Sequence, residues 1–203
     1  MTGLICAMEK ELALVRASFD ESRVLGRLSG IGKVNAALAA ESLIAAGADV
    51  LVNIGVAGAL APDLKGGDVV ICTETAYHDV WCGEPNLPGQ VQGLPPRFAG
   101  DGRMLSVAEG LLPPARRGLC VSGDRFITDP SDLAALRKSF PDALCVEMEA
   151  AAAAQVCHLR GIPFLAVKII SDSGDERSES YARFWETLAE RAFALVKPLL
   201  EAL

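Results

Sequence analysis

The chain has 203 residues, of which 51% are hydrophobic, with a mean hydropathy of +0.30 and a formal charge of −7. That apolar content excludes disorder, no apolar run is long enough for a bilayer span, and the acidic balance without a basic stripe argues against nucleic acid as a partner. Met1 leads at once into a strand-like run with an early Glu9, so no signal peptide is expected and the reading is one cytoplasmic domain over 1–203.

Taken in chain order, apolar runs alternate with helical patterns. GLICAM (3–8) reads as a buried strand, and EKELALVRASF (9–19) has helical spacing. SGIGKVNAALAAESLIAAGA (29–48) is a glycine turn entering an alanine-rich helix, and DVLVNIGVAGAL (49–60) is a strand running into a second glycine turn. Residues 67–79 form another strand. The segment 78–102 is rich in Pro and Gly without periodicity, which predicts a long loop with a role at a pocket or an interface. RGLCVSG (117–123), ALCVEM (143–148) and PFLAVKIIS (163–171) are short and apolar on both faces, and 178–203 is helical to the end. Strands buried on both faces require helices on each side of the sheet. The expected fold is α/β, a three-layer α/β/α sandwich.

In such folds ligands bind beyond strand ends. The strand ends here carry Glu9 and Glu11, Gly55 and Gly58, Asp124, Glu147 and Glu149, and Ser171 and Asp172. Each acid taken singly is also ordinary helix-start chemistry, favourable by ~0.3–1 kcal/mol. Together they crowd one region with carboxylates, which raises pKa values and suits acid–base hydrolysis. Neither glycine turn is a nucleotide loop. A dinucleotide fingerprint needs G-x-G-x-x-G after the first strand, where CAMEKE stands, and SGIGKV lacks the spacing of a phosphate loop. Six cysteines without a C-x-x-C pair read as reduced core thiols, and two distant histidines, His78 and His158, make a His-based zinc site improbable. No metal and no cofactor are expected.

The set AMEKE (7–11), SGIGKVNAA (29–37), NIGVAGAL (53–60), YHD (77–79), SGDRFI (122–127), VEMEAAA (146–152) and ISDSGDE (170–176) resembles the 5'-methylthioadenosine/S-adenosylhomocysteine nucleosidases of the nucleoside phosphorylase/hydrolase superfamily. The resemblance spans nearly the whole chain. It implies a homodimer with a mixed central sheet that hydrolyses the N-glycosidic bond of 5'-thio-substituted adenosines, a small-molecule purine nucleoside being the partner. It further implies that Glu11 activates water and Asp172 protonates the purine N7. Glu149 would bind the ribose hydroxyls with Glu147 supporting or sharing that task, and Met148 would line the sugar. Phe126 and Ile127 would hold the purine, while Gly58 and Ser171 complete the substrate-binding set. Trp81, Pro95, Tyr181 and Phe184 are candidates for the 5' pocket.

Two positions depart from the family pattern: Val56 where Ser or Thr is common, and Lys168 where Arg is frequent. Related phosphorylases grip phosphate with an arginine and a hydroxyl near this turn; Asn53 and Val56 offer neither, so water is the expected nucleophile. A sister hydrolase of futalosine or another 5'-modified purine nucleoside is the nearest alternative, and a non-catalytic nucleoside-binding protein is the alternative from another class.

Overall fold

A computed structural model describes residues 1–173 and 177–202; Gly174, Asp175 and Glu176 of the ISDSGDE motif lie outside the described residues, as does Leu203. In chain order the elements are β1 (Thr2–Cys6), α1 (Glu9–Arg16), β2 (Val24–Leu28), α2 (Lys33–Ala45), β3 (Val50–Ala59), β4 (Val69–Tyr77), β5 (Phe98–Ala99), α3 (Gly102–Leu111), β6 (Arg116–Ser122), α4 (Pro130–Ser139), β7 (Ala143–Glu147), α5 (Ala150–Arg160), β8 (Phe164–Asp172), α6 (Arg177–Thr187), α7 (Ala189–Ala194) and α8 (Lys197–Ala202).

The strands form one mixed sheet. β1 lies parallel between β2 and β3, β3 pairs parallel with β8 and antiparallel with β7, and β6 pairs parallel with both β7 and β4. β8 also pairs antiparallel with β4. This second pairing joins β3, β7, β6, β4 and β8 into a closed ring, with β1 and β2 extending from β3 and β5 from β4. The mixed sheet agrees with the expectation; the α/β/α sandwich reading did not include the ring, which forms because β8 is shared by β3 and β4 and curls the sheet on itself.

Alternation along the strands feeds opposite helical faces. Ile5, Leu51 and Cys72 face the alanines of α2 and α5, whereas Leu4, Val52 and Ile71 face the apolar side chains of α3, α7 and α8. Ala36, Ala39 and Ala40 of α2 pack with Ala150–Ala154 of α5, so the alanine run serves a close helix contact and holds the start of α5 rigidly. The C-terminal periodic stretch is three short helices rather than one, broken at Leu188 and Leu195. No helix among the described residues is long and apolar enough to cross a membrane.

Candidate active site

The carboxyl ends of β1, β3, β7 and β8 converge on one cleft of about 100 Å³, lined by Met8, Glu11, Ile31, Val56, Gly58, Phe126, Glu147, Met148, Glu149, Ser171, Asp172 and Tyr181, among others. A narrower extension, lined by Gly58, Phe126, Ile127, Met148 and Asp172, continues from it. All nine candidate residues therefore come to one place. A larger hollow under β2, about 260 Å³, is lined by Arg16 and Glu21, which pair with each other at 2.8 Å, and presents no convergent acids.

Glu11 sits in the first turn of α1. Its Oε2 accepts from the N–H groups of Ala7 and Met8, both at 2.9 Å, and its Oε1 from that of Val56 at 2.9 Å. The carboxylate thus caps α1 and stitches it to β3. Gly55 makes this seat possible, since a Cβ there would lie 2.8 Å from Glu11 Oε1. Burial raises the Glu11 pKa above the usual carboxylate range, partly offset by the three N–H bonds and by Lys168. A carboxylate in that state is a better base than a free one.

Asp172 ends β8, where a register shift between Ala57 and Gly58 of β3 carries the pairing from Ala57–Ile170 to Gly58–Asp172. That irregularity turns the last residues of β8 toward the cleft. Asp172 is buried, and its Oδ1 accepts from Ser171 Oγ at 2.7 Å.

Glu147 and Glu149 divide their work. Glu147 Oε2 accepts from Lys168 Nζ at 2.8 Å and from the Glu149 and Ala150 N–H groups at 3.0 and 2.9 Å. Its Oε1 accepts from Ser122 Oγ and from the Ala150 N–H. Burial would raise its pKa, yet Lys168 and these donors hold it below the usual carboxylate range. Lys168, in turn, also donates to Asn53 Oδ1 at 2.6 Å and is only 1% exposed. Burial would drive its proton off, but the facing Glu147 holds its pKa high. Among the described residues Glu149 accepts one hydrogen bond, from the Gly32 N–H at 2.7 Å. Gly32 has φ of 98°, which a side chain would strain, and a Cβ there would meet Asp124 Oδ1 at 3.0 Å. Burial and the Glu147 charge push the Glu149 pKa up to about 8.

The Glu149 shift has a sign that stability measures. Between the ordinary carboxylate value of 4.5 and about 8, native Glu149 keeps a proton that the unfolded chain has lost. Stability therefore falls as pH rises through that window. Glu149→Gln is expected to flatten the fall between pH 5 and pH 8 in urea-unfolding midpoints, leaving the variant relatively more stable at pH 8. Parallel curves for the two proteins would contradict the assignment.

Phe126 stands at the mouth, 55% exposed, edge-on to Tyr181 at 5.4 Å. Ile127 is buried, in the cluster around α4. Of the 5'-pocket candidates only Tyr181 lines the cleft. Phe184 is core, packed behind Trp185, Trp81 is 66% exposed, and Pro95 lines neither the cleft nor its extension. Sequence reasoning missed Ile31 and Met8 as lining residues, although both sit inside motifs it had singled out. It also missed the meeting of Cys72, Cys120 and Cys145, whose sulfurs lie within 4.8 Å of one another behind Glu147. They come from three strands whose adjacency no local pattern announces. Five of the six cysteines are buried and only Cys82 is exposed.

The model of the phosphorylase superfamily matches residues 2–201. The chain is similar to the 5'-methylthioadenosine/S-adenosylhomocysteine nucleosidase of Neisseria meningitidis, solved with methylthio-immucillin-A, at 38% identity and a TM-score of 0.91 over 100% of this chain and 99% of that one. It is similar to the corresponding nucleosidase of Colwellia psychrerythraea, solved with adenine, at 33% identity and a TM-score of 0.90 over 98% and 93%. The futalosine hydrolase of Helicobacter pylori shares the fold at 24% identity and a TM-score of 0.90, over 100% and 97%. Ring, cleft and matches together define a phosphorylase-superfamily fold with an acid-lined site. Within that superfamily, the chain belongs to the 5'-methylthioadenosine/S-adenosylhomocysteine nucleosidase family.

Proposed function

We propose that this protein hydrolyses the N-glycosidic bond of 5'-thio-substituted adenosines, releasing adenine and a thioribose. One observation carries the reading: Glu11 and Asp172 share a cleft whose wall, among the described residues, holds four carboxylates and no lysine or arginine. Cleaving the bond between C1' and N9 makes the sugar cation-like, and fixed carboxylates in a dry site stabilise that charge. Glu11, with its raised pKa, takes a proton from the attacking water. Asp172, protonated and positioned by Ser171, gives one to N7 so that the purine leaves neutral. Glu149 accepts from the ribose hydroxyls with the oxygen that Gly32 leaves unused, and Glu147 braces Glu149 through its backbone N–H. Phe126 and Ile127 flank the base in the extension beside Gly58, and Met148 lies against the sugar.

The same wall favours water over phosphate. A phosphate dianion would meet Glu11 at close range, and the nearest buried cation, Lys168, is already committed to Glu147 and Asn53. Where relatives carry a hydroxyl, Val56 contributes only its backbone N–H, which Glu11 uses. Water placement therefore rests on Glu11 itself.

The working unit we propose is a homodimer of single-domain chains. Ile31, Val34 and Leu38 are exposed and run along one side of α2 from the cleft mouth. An apolar stripe of this kind is what a second copy covers. Phe126 at the same mouth would lose its exposure in that contact.

Base release from a panel of nucleosides tests the proposal. Adenine is expected from methylthioadenosine and adenosylhomocysteine without added phosphate. Release from futalosine alone would move the chain to the sister activity, and tight binding without release would make it a binding protein.

A further inference from the structure

Among the described residues, part of the cleft lining carries no carboxylate. Met8, Ile31 and Tyr181 form it with Phe126, which also lines the extension where Ile127 and Asp172 lie. Methionine and aromatic surface suits a thioether, so on the nucleosidase reading the 5' arm of the substrate runs along this wall and out at the mouth. What stands there is an ordered aromatic shelf. Phe126 is edge-on to Tyr181, Tyr181 is edge-on to Trp185 at 6.2 Å, and the Tyr181 hydroxyl donates to Met8 Sδ at 3.6 Å.

Lys10 lies on that shelf. Its Nζ is 3.7 Å from the centroid of the Trp185 ring and 5.1 Å from that of Tyr181. A cation over two ring faces is held by their quadrupoles while its charge stays available. Two other cations on this side are engaged: Lys33 with Asp79 at 2.8 Å and Arg125 with Asp132 at 2.6 Å. Lys10 forms no ion pair with any described residue, and it sits one position before the water-activating candidate Glu11.

We infer that Lys10 is a specificity-determining residue, one that selects substrates whose 5' thioether arm ends in a carboxylate over those with a bare methylthio group. The amino-acid carboxylate of adenosylhomocysteine extends roughly 5 Å beyond its sulfur, and an arm leaving along Tyr181, which lines the cleft, runs toward the ammonium on the same ring. Deeper in the cleft Lys168 is already paired with Glu147 and offers an anion no free cation, so the charge at the rim also fixes which end of the ligand enters. The inference rests on the nucleosidase reading and adds the chemistry of the arm to it.

The test compares kcat/KM for adenosylhomocysteine and methylthioadenosine in the wild type, Lys10→Met and Lys10→Arg. Two synthetic arms, 3-carboxypropylthio and 3-aminopropylthio, separate the carboxylate from the amine. Methionine keeps the apolar stem on Trp185, so the shelf is preserved. The preference for adenosylhomocysteine is expected to fall about fivefold in Lys10→Met, the scale of a partly exposed ion pair, and to persist in Lys10→Arg. The carboxypropyl arm should follow adenosylhomocysteine and the aminopropyl arm methylthioadenosine. The wild-type preference should also shrink between about 20 mM and about 300 mM salt, while that of Lys10→Met stays flat. A Lys10→Met ratio equal to wild type, or equal losses for the carboxyl and amino arms, would overturn the inference. Absence of adenine from every nucleoside with the wild type would instead overturn the nucleosidase reading beneath it.

Discussion

Asp172→Asn is expected to lower kcat by about 10²–10⁴-fold while substrate affinity stays near that of the wild type. The asparagine keeps the shape and can still accept from Ser171 Oγ, which lies 2.7 Å from Asp172 Oδ1. It cannot deliver a proton to the leaving purine. A loss confined to kcat would mark an interaction made only in the transition state. Single-turnover rates with an equilibrium binding measurement separate the two quantities, and a rate within tenfold of wild type would remove Asp172 from the mechanism. Glu11→Gln should fail in the same way for the opposite reason. The amide oxygen can still accept from the Ala7 and Met8 N–H groups, its NH2 loses the bond from the Val56 N–H, and it takes no proton from water.

The second large effect concerns stability. Lys168→Met should destabilise the protein by about 3–5 kcal/mol, the typical cost of leaving one partner of a buried pair uncompensated. Lys168 and Glu147 are both enclosed, with side-chain exposures of 1% and 3% at a separation of 2.8 Å. The loss should be smaller at pH 5 than at pH 7.5, because a protonated Glu147 leaves no charge stranded. Adding Glu147→Gln to Lys168→Met should recover much of the loss, since the pair is then removed as a unit. Urea unfolding of the two single variants and the double variant measures this coupling. Additive losses, or a Lys168→Met cost below about 1 kcal/mol, would show that the pair does not brace the site as described.

The buried pair also illustrates how far the sequence reaches. Asn53 and Lys168 are isolated polar residues inside strands that are otherwise apolar on both faces, a pattern that demands partners inside the protein. Which partners they find depends on β8 lying beside β3 and on β7 crossing the end of β3, and no local pattern encodes those neighbours. Ring closure was hidden for the same reason, because β8 supplies both β3 and β4 through contacts distant in sequence. The acids were legible because each follows an apolar run directly, so strand ends and charge coincide at Glu11, Glu149 and Asp172. Strand β2 was not, since VLGRL is an edge strand with three exposed residues and little apolar signal. Helix α4 did leave a mark: Asp129 before Pro130 is an N-cap followed by proline in the first turn, and its side chain accepts from the Ser131 N–H. The loop 78–102 holds only the two-residue strand β5, as its composition suggested, but the aromatic wall of the cleft comes from Phe126 and from Tyr181 of α6 instead. Helical periodicity in the C-terminal stretch could not reveal that Tyr181 faces the cleft while Phe184, three residues on, faces the core.

The central claim is that two acids, one after the first strand and one at the end of the last, drive attack of water on a nucleoside. The base-release assay run with methylthioadenosine in ¹⁸O-labelled water tests it most directly. One labelled oxygen at C1 of the thioribose for each adenine released, independent of added phosphate, is the predicted result. Unlabelled sugar, or a sugar phosphate that forms only when phosphate is supplied, would contradict it.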